Sequence, residues 1–141
     1  MTLFDDVATE LMAATGASRV TVRLCEDGAD PRLVAEVLAP GVGSMAGGTR
    51  DPIRTAPTYV FLETERRLLV QNDCREGEPA PPRSLIEHYR VYAQMLAPVF
   101  VGDQMVATIS VHQQDATRDW SARDIDALSA ARSRLEKALA I

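Results

Sequence analysis

The sequence predicts an α+β fold, with an antiparallel sheet covered on one face by helices from the two ends of the chain. Three observations carry this reading. Amphipathic, capped helical segments stand at both ends. Segments that alternate apolar and polar residues are joined by tight turns, which suit antiparallel neighbours, since a parallel pair needs a long crossover. Between them the chain is interrupted by Gly- and Pro-rich stretches around short elements. With only two substantial helices, both most simply share one sheet face, and the middle insertions cover the other.

The elements follow in order. "TLFDDVATELMAATG" places Phe4, Val7, Ala8, Leu11 and Met12 on one helical face, with Thr2 and Asp5 as an N-terminal cap and Gly16 as a stop. "RVTVRLCE" alternates Val20, Val22 and Leu24 against Thr21, Arg23 and Cys25, and "EDGADP" turns it into a second strand, "RLVAEVL". Pro40 to Pro57 is a long loop with "GVGSMAGG" at its centre. That run meets the letter of a dinucleotide fingerprint, but it opens no helix and is read as a mobile loop or lid. "TYVFLETERR" is a short helix, "LLVQND" a third strand and "REGEPAPPR" a loop. "SLIEHY" is another short helix, with Ser84 and Glu87 at capping-box spacing. "RVYAQMLAPVFV" and "QMVATISVHQ" are two strands joined at Gly102-Asp103, a strong hairpin signal. The closing helix is capped by Ser121 with Asp124, and Ile125, Leu128, Ala131, Leu135 and Leu139 line one side of it.

At 141 residues the span 1–141 is read as one domain, long enough to fold around its own core without metal or disulfide staples. The hydrophobic share of 46% and charged share of 25% are those of an ordinary globular protein. A net charge of -5, with Arg residues scattered among acids, argues against a nucleic-acid partner. No apolar run reaches the roughly 20 residues of a membrane helix. The acidic opening, Asp5 and Asp6, leaves no expectation of a signal peptide. Cys25 and Cys74 have no metal or redox spacing, two free thiols are expected, and the expected location is cytoplasmic. No metal site is expected, and no cofactor is indicated.

The run "MLAPVFVGDQMVATISVHQ" followed by "RDWSARDIDALSAARSRLEKAL" resembles the GAF domain family, and "LMAATGASRVTVRLCEDG" is similar to that family's first helix and strand. The resemblance spans nearly the whole chain. It implies an antiparallel sheet of five to six strands, with the N- and C-terminal helices on one face and a ligand cavity under loops and short helices on the other. It also implies that the first and last strands lie side by side in mid-sheet. Family members mostly sense small molecules, and a few are single-domain enzymes. The signatures of cyclic-nucleotide binding, of bilin attachment at a Cys-His dipeptide, and of the cysteine-rich methionine sulfoxide reductases are absent from this sequence.

If Val20, Val22, Leu24, Ala107, Ile109 and Val111 face the helices, the alternate face carries Thr21, Arg23, Thr108, Ser110 and His112. Tyr92 and Gln94 join them if Val91, Ala93 and Met95 point inward. A guanidinium in mid-sheet needs a partner. Arg23 is therefore expected to meet either an internal acid, Asp73 or Glu63, or a bound carboxylate, phosphate or similar anion. A central strand presenting three polar side chains on one face implies a space that is wet or occupied. The leading expectation is a small-molecule-binding sensory domain. Its polar or anionic ligand is held by Arg23, Ser110, His112, Thr108, Thr21, Tyr92, Gln94 and Asp73, with residues 40–57 and 75–83 closing over it. Homodimerisation through the terminal helices is expected to carry the signal. The rival is a small enzyme acting on an organic acid or oxidised metabolite, with His112 or His88 as general acid/base and Arg23 orienting the substrate. A third reading is an interaction module whose cavity is filled by its own side chains.

Overall fold

A computed structural model describes residues 2–27, 29–47 and 51–141. Five strands form one sheet in the order β2-β1-β5-β4-β3. They are β1 (Arg19–Leu24), β2 (Arg32–Leu38), β3 (Leu69–Gln71), β4 (Val91–Val101) and β5 (Gln104–Gln114). Every neighbouring pair is antiparallel. The long hairpin β4–β5 turns at Gly102, which sits at φ 61, where the absence of a Cβ removes the steric cost.

The terminal helices are α1 (Leu3–Thr15) and α4 (Ala122–Leu139). Both begin with the reciprocal cap that the sequence signals: Thr2 with Asp5, and Ser121 with Asp124. Gly16 ends α1 in the left-handed region. Both helices pack on one sheet face. There Val7, Leu11, Leu128 and Leu135 meet Val20, Val22, Met95, Ala97, Ile109 and Val111 in one buried cluster. Period-2 strands and period-3.6 helices thus present apolar stripes to each other, which is the dominant stabilisation of the domain.

The other face is covered by α2 (Pro57–Glu65), α3 (Arg83–Glu87) and the stretches around them. A smaller apolar cluster, including Ile53, Tyr59, Leu62, Leu96 and Phe100, holds α2 to β3, β4 and β5. The expected capping box of Ser84 with Glu87 is not what starts α3. That helix begins after Pro82; Ser84 lies inside it, and its N–H is satisfied by Asp51 Oδ2 at 2.9 Å. Glu87 pairs instead with Arg83 one turn back. Residues 48–50 of the long loop and Gly28 of the first hairpin turn lie outside the described residues. No helix among the described residues is long and apolar enough to cross a membrane.

Candidate functional site

Strand register arranges the loop-facing side of the sheet in rows. One row crosses β3, β4, β5 and β1 as Gln71, Gln94, His112 and Arg19. The next pairs Leu96 with Ser110 and Ser110 with Thr21. A third sets Thr108 beside Arg23. Gln94 Nε2 donates to Gln71 Oε1 at 2.8 Å, and Gln71 Nε2 donates to the Pro79 carbonyl at 2.7 Å, which ties the segment before α3 to the sheet.

Arg19 is wholly buried. Its Nε and Nη2 donate to the Gly43 carbonyl at 3.2 and 2.7 Å, and its Nη1 lies 3.2 Å from His112 Nδ1. A guanidinium only donates, so Nδ1 accepts and the imidazole proton sits on Nε2. Burial, reinforced by the charges of Arg19 and Arg23, holds His112 well below the usual histidine range. His112 is therefore a neutral donor. Burial also pulls Arg19 down from the usual guanidinium range, and the nearby negative charge of Glu36 works against that shift.

Above these rows lies a cavity of about 60 Å³ whose floor includes Thr21, Arg23, Gln94, Ser110 and His112. Its roof is Met45 and Ile53 from the long loop, Thr58 and Tyr59 from α2, and Leu85 and Tyr89 in and just after α3. Three carboxylates pin that roof by accepting hydrogen bonds from it. Glu36 on β2 takes Ser44 Oγ and the Met45 N–H, Asp30 takes the N–H groups of Ile53 and Arg54, and Asp51 takes that of Ser84. Among the described residues, none of the cavity-lining side chains is a carboxylate.

Arg23 is 8% exposed, and its one hydrogen bond to a described residue is Nη1 to the Pro31 carbonyl at 3.3 Å. The two acids expected as internal partners are engaged elsewhere. Asp73 pairs with Arg75 at 3.0 Å near the surface, and Glu63 lies 3.8 Å from Arg54. The fork of Arg23 thus borders a void and has no acid against it among the described residues. The Nε2–H of His112 and the hydroxyls of Ser110 and Thr21 also have no hydrogen-bond acceptor among the described residues.

Of the eight residues expected at the site, the structure brings Thr21, Arg23, Gln94, Ser110 and His112 around one cavity. Thr108 is buried, but its Oγ1 is taken by the Tyr59 hydroxyl. Tyr92 stands at a bulge between Val91 and Ala93 and lies under the Arg75 guanidinium, 4.6 Å from ring centre, outside the cavity lining. Asp73 sits with that same arginine. His88 is exposed and meets Tyr89 edge-on. Arg19 was missed, although its parity on β1 matches that of Thr21 and Arg23. Tyr59 and Tyr89, from α2 and just after α3, also line the cavity.

Both cysteines are free. Burial raises the Cys25 thiol and pushes that of Cys74 up to about 12. No cluster of three potential metal ligands from His, Cys, Asp and Glu occurs among the described residues.

A family model described as "GAF domain" matches residues 1–139. No curated protein matches the chain. Several solved structures share its fold. One is the cyanobacteriochrome receptor PixJ, at 21% identity and a TM-score of 0.80, covering 98% of this chain and 93% of that one. Another is the photoproduct state of GAF3 from Slr1393 of Synechocystis sp. PCC6803, at 21% identity and 0.80, covering 99% and 94%. A third is the phycocyanobilin-bound GAF domain of a cyanobacterial phytochrome, at 19% identity and 0.77, covering 99% and 85%. The likeness at these identities is one of fold.

Proposed function

The chain belongs to the GAF domain family, and from that premise we propose that it is a cytoplasmic sensory domain whose cavity over the central strands holds a small anionic ligand. The observation that carries this reading is a floor rich in hydrogen-bond donors and free of carboxylates among the described residues. Arg23 supplies a buried positive charge, neutral His112 an N–H, and Ser110 and Thr21 two hydroxyls, around a space with no lining carboxylate among the described residues. A buried cation without a counter-charge is costly, and an anion seated against it removes that cost.

One of the solved relatives is a phycocyanobilin-bound domain, but a bilin suits this cavity poorly. About 60 Å³ is far below the ~300–1,000 Å³ typical of pockets for drug-sized ligands, and neither cysteine is among the lining residues. Two copies joined through the outer faces of α1 and α4 would carry the signal to a partner, and light scattering with and without ligand tests that assembly.

The test of the ligand class is a thermal-shift screen of the purified chain against small inorganic and organic anions, with neutral solutes as controls. Anions raise the melting temperature of the wild type, by the equivalent of about 2.7 kcal/mol at a hundred times Kd, and leave Arg23→Ala unmoved. An anion that stabilises Arg23→Ala as well as the wild type refutes the assignment.

A further inference from the structure

The cavity has a second side that the anion reading does not use. Across from the polar floor, Met45, Ile53 and Leu85 present only apolar surface, and Leu96 does the same from the floor itself, beside Ser110. A bare inorganic anion would leave those four side chains facing water or empty space. A guest with an alkyl end would remove that surface from water.

Charge and size narrow the guest further. Arg23 is the one lining cation among the described residues, because Arg19 is spent on the Gly43 carbonyl and on His112, with Glu36 as its distant counter-charge. A second negative charge would be buried with no cation of its own. The planar fork of a guanidinium matches a carboxylate in bidentate fashion, and the Nε2–H of His112 and the Ser110 hydroxyl can meet the remaining lone pairs. A dry cavity of about 150 Å³ takes a benzene ring. One of about 60 Å³ therefore holds a guest of fewer heavy atoms.

We infer that the ligand is a short-chain aliphatic monocarboxylate of about two to four carbons, its carboxylate on Arg23 and its alkyl end against Ile53, Leu85 and Leu96. This deepens the anion reading and rests on it.

Isothermal titration of the full chain with sodium formate, acetate, propionate, butyrate and hexanoate tests the inference, beside propionamide, nitrate, phosphate and succinate. Affinity rises about four-fold for each added methylene up to propionate or butyrate, then drops for hexanoate. Propionamide, which keeps the shape and loses the charge, binds roughly 10- to 100-fold more weakly than propionate. Arg23→Ala loses propionate binding by at least a similar factor while keeping its circular dichroism spectrum. Leu85→Phe, which fills the apolar end, moves the optimum toward formate and acetate. A flat response to chain length, nitrate or phosphate binding as tightly as propionate, or an optimum that Leu85→Phe leaves in place overturns the carboxylate class while the anion reading stands. Absence of binding by every anion, or propionate binding undiminished in Arg23→Ala, sinks both.

Discussion

Ile109 and Ser110 are neighbours on β5, yet they look out on opposite kinds of packing. Ile109 points into the cluster under α1 and α4, with Val22 and Ala97 beside it across the strands, and it has no exposed surface. Ser110 points the other way, onto a cavity roofed by short elements. The helical layer fills its side because two long amphipathic stripes lie directly on the sheet. The roof is held differently, by the smaller apolar cluster on the α2 side and, at its margins, by Glu36, Asp30 and Asp51 catching backbone and hydroxyl donors. Side chains that anchor a layer at its edges leave its middle free. The close-packed core and the cavity are therefore divided between the two faces of one sheet.

The largest test of that division is truncation on each side. Ile109→Ala removes buried methyls from a close-packed layer that collapses only partly, and it should cost about 3 kcal/mol in chemical denaturation. Ser110→Ala, one residue along and beside a void, should stay within about 1 kcal/mol. Equal losses would mean that the loop-covered face is as tightly packed as the other, contrary to the cavity.

A second comparison lies within the polar face. Arg19 and Arg23 occupy β1 four residues apart, both buried, but only Arg19 is fully engaged. Arg19→Met strands the Gly43 carbonyl and His112 Nδ1 and leaves Glu36 unbalanced, so a loss of about 2 kcal/mol is expected. Arg23→Met gives up one bond to Pro31 and relieves an unpaired buried charge, so stability should shift by less than about 1 kcal/mol in either direction. Unfolding midpoints of the two variants in ligand-free buffer decide this. A heavier cost at residue 23 would make it structural.

What was legible in the sequence follows the same line. The helix-covered face could be read to the residue, because alternation and the two capping boxes are local signals: Thr2 with Asp5, Ser121 with Asp124, Val20 and Val22 against Ile109 and Val111. The floor of the cavity came from the same parity, which is why Thr21, Arg23, Gln94, Ser110 and His112 meet. Two of the failures needed distant partners. Thr108 is claimed by Tyr59 from α2, and Ser84 by Asp51 across the roof. Tyr92 leaves the alternation at a bulge that no residue type announces. Asp73 prefers an arginine two positions away to one across the sheet. Arg19 opens the strand "RVTVRLCE" and shares the parity of Thr21 and Arg23, so the same alternation, counted from the strand's first residue, puts it on the polar face.

A last expected effect concerns pH and bears on the row that joins His112 to Arg19. In the unfolded chain His112 titrates near 6.5. In the folded chain burial and the flanking charges of Arg19 and Arg23 hold it well below that. Below about pH 6.5 the unfolded state therefore binds a proton that the folded state refuses, and stability falls with falling pH by at most about 1.4 kcal/mol per unit. The contribution is complete above pH 6.5 and is lost progressively below it. Asp5, Asp51 and Asp73, whose folded values are lowered by hydrogen bonds, act in the same direction only near and below their ordinary carboxylate range, so pH 6.5 to 5 isolates the histidine. Denaturation across that window should show the slope in the wild type and lose it in His112→Gln, which keeps a polar side chain beside Arg19. A slope that survives the substitution would place the titrating group elsewhere. It would also free His112 to be charged, and the cavity floor would then hold two cations where the geometry of Nδ1 and Arg19 allows one.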